Sequence, residues 1–378
     1  MSSVPTELNF AEAVNYHYGK FPPSNIDYGQ ISSQLVKAAG AIARFEQMLK
    51  NMHNSEILLA PLRNQEAVIS SRMEGTVSTM DEILEYEADY DEAADGSANT
   101  RWEVIETILY QRALRNAQKA MESGQPLSES LIKTAHQQLL SFGRGVSKAP
   151  GKYKTEQNYL ADKTKKNILF VPIAPEFLQD GLDALFNYIK NFDATDLIKA
   201  AVAHIEFEAL HPFKDGNGRV GRMLITLMLW EAKVISAPHY YISGYFEENK
   251  DLYIDSMRKV SSIEDWTGWC AFFLIAVEKQ AISNLKIAED INKLYEELKI
   301  KFSELLASQW SVQALDYMFT NPVFRNSKFA SNSGIGQQTA SRFTRILHEN
   351  GLIVLTEQAS GRRSALYRLE PLMELVRV

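Results

Sequence analysis

The chain's 378 residues exceed one compact domain, and a norm of about 150 residues per domain points to two or three. Hydrophobic residues make up 45% and charged residues 23%, a soluble globular balance; 40 Lys plus Arg against 47 Asp plus Glu gives −7, which excludes a body coated in basic charge for nucleic acid. A single cysteine, Cys270, excludes an intramolecular disulfide framework and a Cys-rich zinc site, and no apolar run approaches the roughly 20 residues of a membrane span. The first residues lack a basic segment followed by an apolar core, so no signal peptide and a cytoplasmic location are expected.

Residues 1–30, with Pro5, Pro22, Pro23 and Gly29, read as an extended arm packed on another part of the chain. Leu35, Ala38, Ala39, Ile42, Phe45 and Leu49 recur every three or four positions and predict a helix over 31–60. A second helix is expected from Pro61 to Met73, with proline in its first turn and Gly75 beyond its end. The carboxylates Asp81, Glu82, Glu85, Glu87, Asp89, Asp91, Glu92 and Asp95 lack ligand spacing and read as a solvated acidic loop. Helical spacing resumes over 100–122 and 129–142. Residues 152–172 then read as a hairpin, with Tyr159 and Leu160 on one arm and Ile168 to Val171 on the other. From Pro175 to about residue 306 the pattern is helical, broken near Pro212–Gly218 and Pro238.

The last seventy residues change character. Helices are expected over Ser311–Phe319, Ser327–Ala330 and Gln337–Asn350, the third stopped by Gly351. Short strands follow at Leu352–Thr356 and Ala365–Leu369. Three helices and a two-stranded wing describe a winged helix-turn-helix. Arg342, Arg345, Arg362, Arg363 and Arg368 fall on its recognition helix and wing, which leaves DNA open as a partner beside protein docking.

The densest chemistry lies in His211-Pro212-Phe213-Lys214-Asp215-Gly216-Asn217-Gly218-Arg219-Val220-Gly221-Arg222. Pro212 drives His211 out of the right-handed helical region, so the imidazole sits at the lip of a helix end. Gly216-Asn217-Gly218 makes a tight loop into a new helix, whose first N–H groups can hold an anion. Arg219 and Arg222 lie on one side of it, and Asp215 offers a hard oxygen ligand for Mg²⁺ shared with phosphates. A base, a magnesium ligand, an anion cradle and two guanidinium groups suit attack on a nucleotide phosphate.

This constellation resembles the motif of the Fic family, His-Pro-Phe-x-Asp/Glu-Gly-Asn-Gly-Arg-x-x-Arg, at every position. The likeness extends through His204-Ile205-Glu206-Phe207-Glu208, Tyr245–Lys250 and Asp265–Trp269. It implies a mainly α fold: a Fic-type helical bundle with a small hairpin flap and the winged-helix tail. It further implies AMP transfer from ATP to a Ser, Thr or Tyr hydroxyl of a target protein, and self-modification. His211 would be the general base and Asp215 the Mg²⁺ ligand. Gly216, Asn217, Gly218, Arg219, Val220, Gly221 and Arg222 would surround the phosphates, with Asn249 toward the adenine. The target would add a strand to the flap at 153–172, where Lys154 and Tyr159 depart from the usual pattern. Ser70-Ser71-Arg72-Met73-Glu74-Gly75 resembles the family's inhibitory Ser/Thr-x-x-x-Glu-Gly, so Ser70 and Glu74 are expected to present a carboxylate that competes with the γ-phosphate for Arg222. The resulting division is an arm and inhibitory region over 1–100, a catalytic core over 101–295 and the winged helix over 310–378. The competing expectation is a DNA-binding regulator whose Fic core serves as a nucleotide sensor or scaffold.

Overall fold

The computed structural model describes residues 8–52, 54–90, 101–162, 164, 166–361 and 363–378. In chain order it contains β1 (Val14–Asn15), α1 (Tyr28–Lys50), α2 (Glu56–Met73), α3 (Met80–Asp89), α4 (Trp102–Glu122) and α5 (Glu129–Leu139). After these come β2 (Leu160–Ala161), β3 (Ile168–Val171), α6 (Leu178–Asn191), α7 (Asp196–Leu210) and α8 (Asn217–Glu231). Then follow α9 (Ser243–Glu248), α10 (Lys250–Ile263), α11 (Trp266–Leu306), α12 (Ser311–Thr320), β4 (Val323–Arg325) and α13 (Asn326–Asn332). The chain closes with α14 (Gln337–Glu349), β5 (Val354–Glu357), β6 (Leu366–Arg368) and α15 (Glu370–Val376). Among the described residues the fold is mainly helical, as expected, and no helix is long and apolar enough to cross a membrane.

The chain forms two compact units, Met1–Ala43 with Leu109–Ala281 and Arg44–Ile108 with Ile282–Val378. α1, α4 and α11 contribute residues to both.

In the first unit, α7 is buried almost all round. Ala200, Ala201, Val202 and Ala203 are short enough for neighbouring helices to approach closely, and Trp269 of α11 donates its indole N–H to Ala201 O at 2.8 Å. The arm is indeed packed on the core. β1 pairs parallel with β3, Val14 opposite Phe170, while β2 pairs antiparallel with the other edge of β3. The arm's Tyr16 hydroxyl donates to Glu206 Oε1 at 2.6 Å, and His17 Nε2 lies 2.8 Å from Glu206 Oε2. The Glu206 carboxylate is buried, so these two bonds satisfy a charge that would otherwise be expensive to bury.

Two expectations for the second unit are corrected. α2 starts at Glu56, so Pro61 stands inside the helix rather than in its first turn. The acidic stretch is not a solvated loop as far as it is described. Thr79 and Glu82 form a capping box, Glu82 N donating to Thr79 Oγ1 at 3.2 Å and Thr79 N to Glu82 Oε2 at 2.9 Å, and this starts α3. The helix's carboxylates are then neutralised by arginines from the chain's end. Arg325, 5% exposed, binds Asp89 at 2.6 Å and also Glu357; Arg368 binds Asp81 and Glu85; Arg377 binds Asp81 and Glu370. Asp91, Glu92 and Asp95 lie outside the described residues, as does Arg362. The tail holds the three expected helices, α12 to α14, and the expected strand pair, β5 and β6. It adds β4, which completes a sheet of order β4-β6-β5, and α15.

Candidate functional site

The helix α7 ends at His211, whose backbone is left-handed at φ 46°, ψ 58°. The residue is out of the right-handed region as expected, though not in the extended region that a following proline usually imposes. His211 Nδ1 lies 3.4 Å from Glu208 O, so Nε2 is the ring nitrogen directed away from the helix backbone. Five residues on, Gly216 adopts φ 80°, which a side chain would resist, and α8 begins. The first N–H groups of α8 have no partner within their own helix, and a glycine N-cap supplies no side chain to cover them.

The loop between the helices is held from several sides. Asn217 Oδ1 accepts from Phe213 N at 2.8 Å and its Nδ2 donates to Phe213 O at 2.8 Å, so this amide clasps the loop on itself. Asp215 Oδ1 accepts from Gly216 N at 2.6 Å and lies 3.7 Å from Arg219 Nη2. Arg219 and Arg222 are 1% and 2% exposed, and Val220 is a core residue. A Cβ on Gly221 would stand 2.3 Å from Glu208 Oε1, so glycine there leaves room for the Glu208 carboxylate of α7. Asn249 caps the end of α9 and the start of α10, with Nδ2 donating to Tyr245 O at 3.0 Å.

The first unit thus brings together His211, Asp215 and residues 216–222. Ser70 and Glu74 belong to the second. Ser70 is fully buried in α2, and Glu74 is the exposed C-cap of that helix.

Four supporting residues make contacts that the sequence did not foretell: it passed over His136 and Asn158, and named His204 and Lys154 only within the family likeness. His136 of α5 accepts at Nδ1 from Gly151 N, 2.9 Å, so Nε2 carries the proton and donates to Asp215 O, also 2.9 Å. Burial holds this imidazole down to about 4, and its ring stacks on Phe213 at 3.7 Å and 7°. His204, whose charged form burial and then the Arg222 charge disfavour down to about 3, donates at Nδ1 to Gly221 O and accepts at Nε2 from the Tyr253 hydroxyl. Lys154 and Asn158, ahead of the hairpin, bond the backbone of residues 210–213. His136 falls on an apolar helix face with Leu131, Ile132, Ala135 and Leu139, where it reads as an ordinary core residue.

Beneath the hairpin lies a mostly apolar cavity of about 120 Å³, lined by Leu160, Phe170, Ile205, Glu208 and, on α10, Ile254 and Met257. Among the described residues no group of three or more His, Cys, Asp or Glu is placed to hold a metal ion. Asp215 is a lone carboxylate, about one-third exposed, which fits an ion shared with a substrate's phosphates and not a site built from protein alone.

A helix end carrying an imidazole, a glycine turn and a helix N-terminus with two buried arginines form an arrangement that is able to hold phosphate. Residues 126–229 match the model of the Fic/DOC family, and residues 32–119 match that family's N-terminal model; the chain belongs to the Fic/DOC family. It is 26% identical over 210 residues to a probable protein adenylyltransferase of Aquifex aeolicus, covering 54% of this chain and 57% of that one. It is 32% identical over 83 residues to a Caenorhabditis elegans protein adenylyltransferase, covering 21% of this chain and 15% of the relative. The chain therefore spans little more than half of the first relative's length and a small part of the second's. Among solved structures, a Fic family protein from Desulfovibrio desulfuricans is similar in fold, with TM-score 0.57, 18% identity, and coverage of 92% of this chain and 98% of that one. A Fic-domain protein from Bacteroides thetaiotaomicron gives TM-score 0.53 at 19% identity over 67% of this chain and 97% of that one.

Proposed function

We propose that this chain transfers AMP from ATP to a hydroxyl of a protein substrate, and is restrained by Glu74. The observation that carries the reading is His211 at the end of α7 beside the open N-terminus of α8, with Arg219 and Arg222 buried in that helix's first turns. His211 Nε2 takes the proton of the incoming Ser, Thr or Tyr hydroxyl. Its oxygen bonds to the α-phosphorus as the bond to the pyrophosphate oxygen breaks, and pyrophosphate leaves. Such base catalysis contributes about 10²–10⁴ in rate. The N–H groups of residues 217–219 hold the α-phosphate where charge develops, and Arg219 and Arg222 bind the leaving phosphates. Asp215 would hold Mg²⁺, which when bound neutralises phosphate charge. The apolar cavity takes the base; Asn249 heads α10, whose Ile254 and Met257 line that cavity.

An extended acceptor segment adds to the outer edge of β2, because β3 already lies between β1 and β2. For restraint, the support is the inhibitory pattern together with the position of Glu74. A carboxylate at a helix C-terminus opposes the helix dipole and favours a cationic partner. We read the tail as a winged helix. DNA binding by the tail stands as the second reading; of its arginines, Arg368 is held by Asp81 and Glu85, whereas Arg345 is exposed beside Glu349. The test is to mix the protein with α-labelled ATP, magnesium and a cell extract. Label should appear on protein with the wild type and vanish with His211→Ala, which should still bind ATP. Equal labelling by both proteins would remove His211 from the mechanism.

A further inference from the structure

His211 is a non-glycine residue in left-handed backbone, a conformation that persists only where its surroundings over-determine it. The determinants can be named one carbonyl at a time. Leu210 O accepts from Lys154 Nζ at 3.0 Å, and His211 O from Asn158 Nδ2 at 3.0 Å. Pro212 O accepts from Lys154 N at 2.8 Å. Phe213 O accepts from Asn158 Nδ2 at 3.1 Å, besides its bond from Asn217. Two side chains, four residues apart, thus hold the backbone on both sides of the imidazole.

Lys154 acts twice in this arrangement. Its ammonium bonds the last carbonyl of α7, and it also bonds Asn158 Oδ1 at 2.9 Å. Fixing Oδ1 settles which way the Asn158 amide faces, so that Nδ2 is the end presented to His211 O and Phe213 O. A residue with that amide reversed would set an oxygen against two carbonyl oxygens.

The lysine is poorly explained as a stabilising residue. It is 7% exposed and, among the described residues, its ammonium bonds two neutral oxygens and no carboxylate. Burial accordingly pulls it down to about 7. An apolar side chain of the same length would fill the space without that desolvation. We propose that Lys154, acting through Asn158, is the positioning residue that holds His211 in its left-handed conformation and so aims the imidazole at the acceptor hydroxyl.

The proposal rests on the adenylyl-transfer reading for its kinetic consequence but not for its structural one. Aiming a base affects the chemical step more than nucleotide binding. Lys154→Met should therefore lower kcat by about 10–100-fold while KM for ATP stays within about twofold. Lys154→Arg, which keeps donors at the right reach, should recover at least half of the lost factor on a logarithmic scale; Lys154→Gln serves as a second neutral variant. Amide hydrogen exchange of residues 210–217, followed by mass spectrometry on the full chain, should accelerate in Lys154→Met and Lys154→Gln and return toward wild type in Lys154→Arg. Wild-type kcat in Lys154→Met, or a loss that Lys154→Arg shares in full, would overturn the assignment. If no form of the protein labels any substrate, adenylyl transfer fails alone, and unchanged exchange over 210–217 would independently overturn the positioning role.

Discussion

His136→Ala tests how firmly the loop that follows His211 is held. In the wild type the neutral ring connects Gly151 N to Asp215 O and lies flat on Phe213. Truncation leaves one amide and one carbonyl without their partner, each about 1–3 kcal/mol where water cannot replace it. Losing the stacked ring adds about 0.5–1.5 kcal/mol. Gly151 and Asp215 are only half-buried, so water recovers part of the first term, and a total of about 3–4 kcal/mol is expected. The loop is the more sensitive reporter. Asp215 O is the last tethered carbonyl before the Gly216 turn, and a shift of order 1 Å in the cradle would lower transfer about a hundredfold. Urea unfolding of the intact chain, followed by tryptophan fluorescence, measures the first quantity, and labelling at saturating ATP the second. If His136→Ala unfolds within about 1 kcal/mol of wild type and labels at the wild-type rate, the tether is incidental and the account of the loop is wrong.

Other outcomes follow from the same contacts. Glu74→Gly should raise labelling tenfold or more, since a tenfold change needs only about 1.4 kcal/mol of bias; a flat or lower rate would make Glu74 an ordinary helix-end residue. For Lys154, the pKa of about 7 in the folded chain lies below the ordinary 10.5, so the unfolded chain holds an extra proton between those values. The resulting stability is fully present above about 10.5 and gone below about 7, and wild type should gain on Lys154→Met when urea midpoints are compared at pH 7 and pH 9.5. Arg325→Met should lower the stability of the second unit by about 1–3 kcal/mol, less than for a fully buried pair because Asp89 and Glu357 reach water; unfolding monitored by exchange in residues 311–378 would show it.

What the chain reveals before folding is chemistry that is contiguous along it. Residues 211–222 carry an imidazole, a carboxylate, a glycine turn and two arginines in twelve positions, and the helix ends on either side are written by Pro212 and Gly216. The tail's three helices were legible for the same reason, because each is a local pattern. α3 was missed although its signal is local: Thr79 and Glu82 make a capping box, and the weight of negative charge obscured it. That charge is tolerated in a helix because Arg325, Arg368 and Arg377 arrive from more than 200 residues away, which no window along the chain contains. The same distance hides the groups that shape the site. His136 stands 79 residues from the carbonyl it holds, and Lys154 stands 56 from its own. Nor does residue type betray them. A lysine that keeps its charge at the surface and one that bonds two buried oxygens have the same side chain, and only the folded chain shows which oxygens it meets. Groups that sit together in a motif can therefore be read along the chain, whereas the distant side chains that bond the backbone around them become visible only once the fold has brought its carbonyls together.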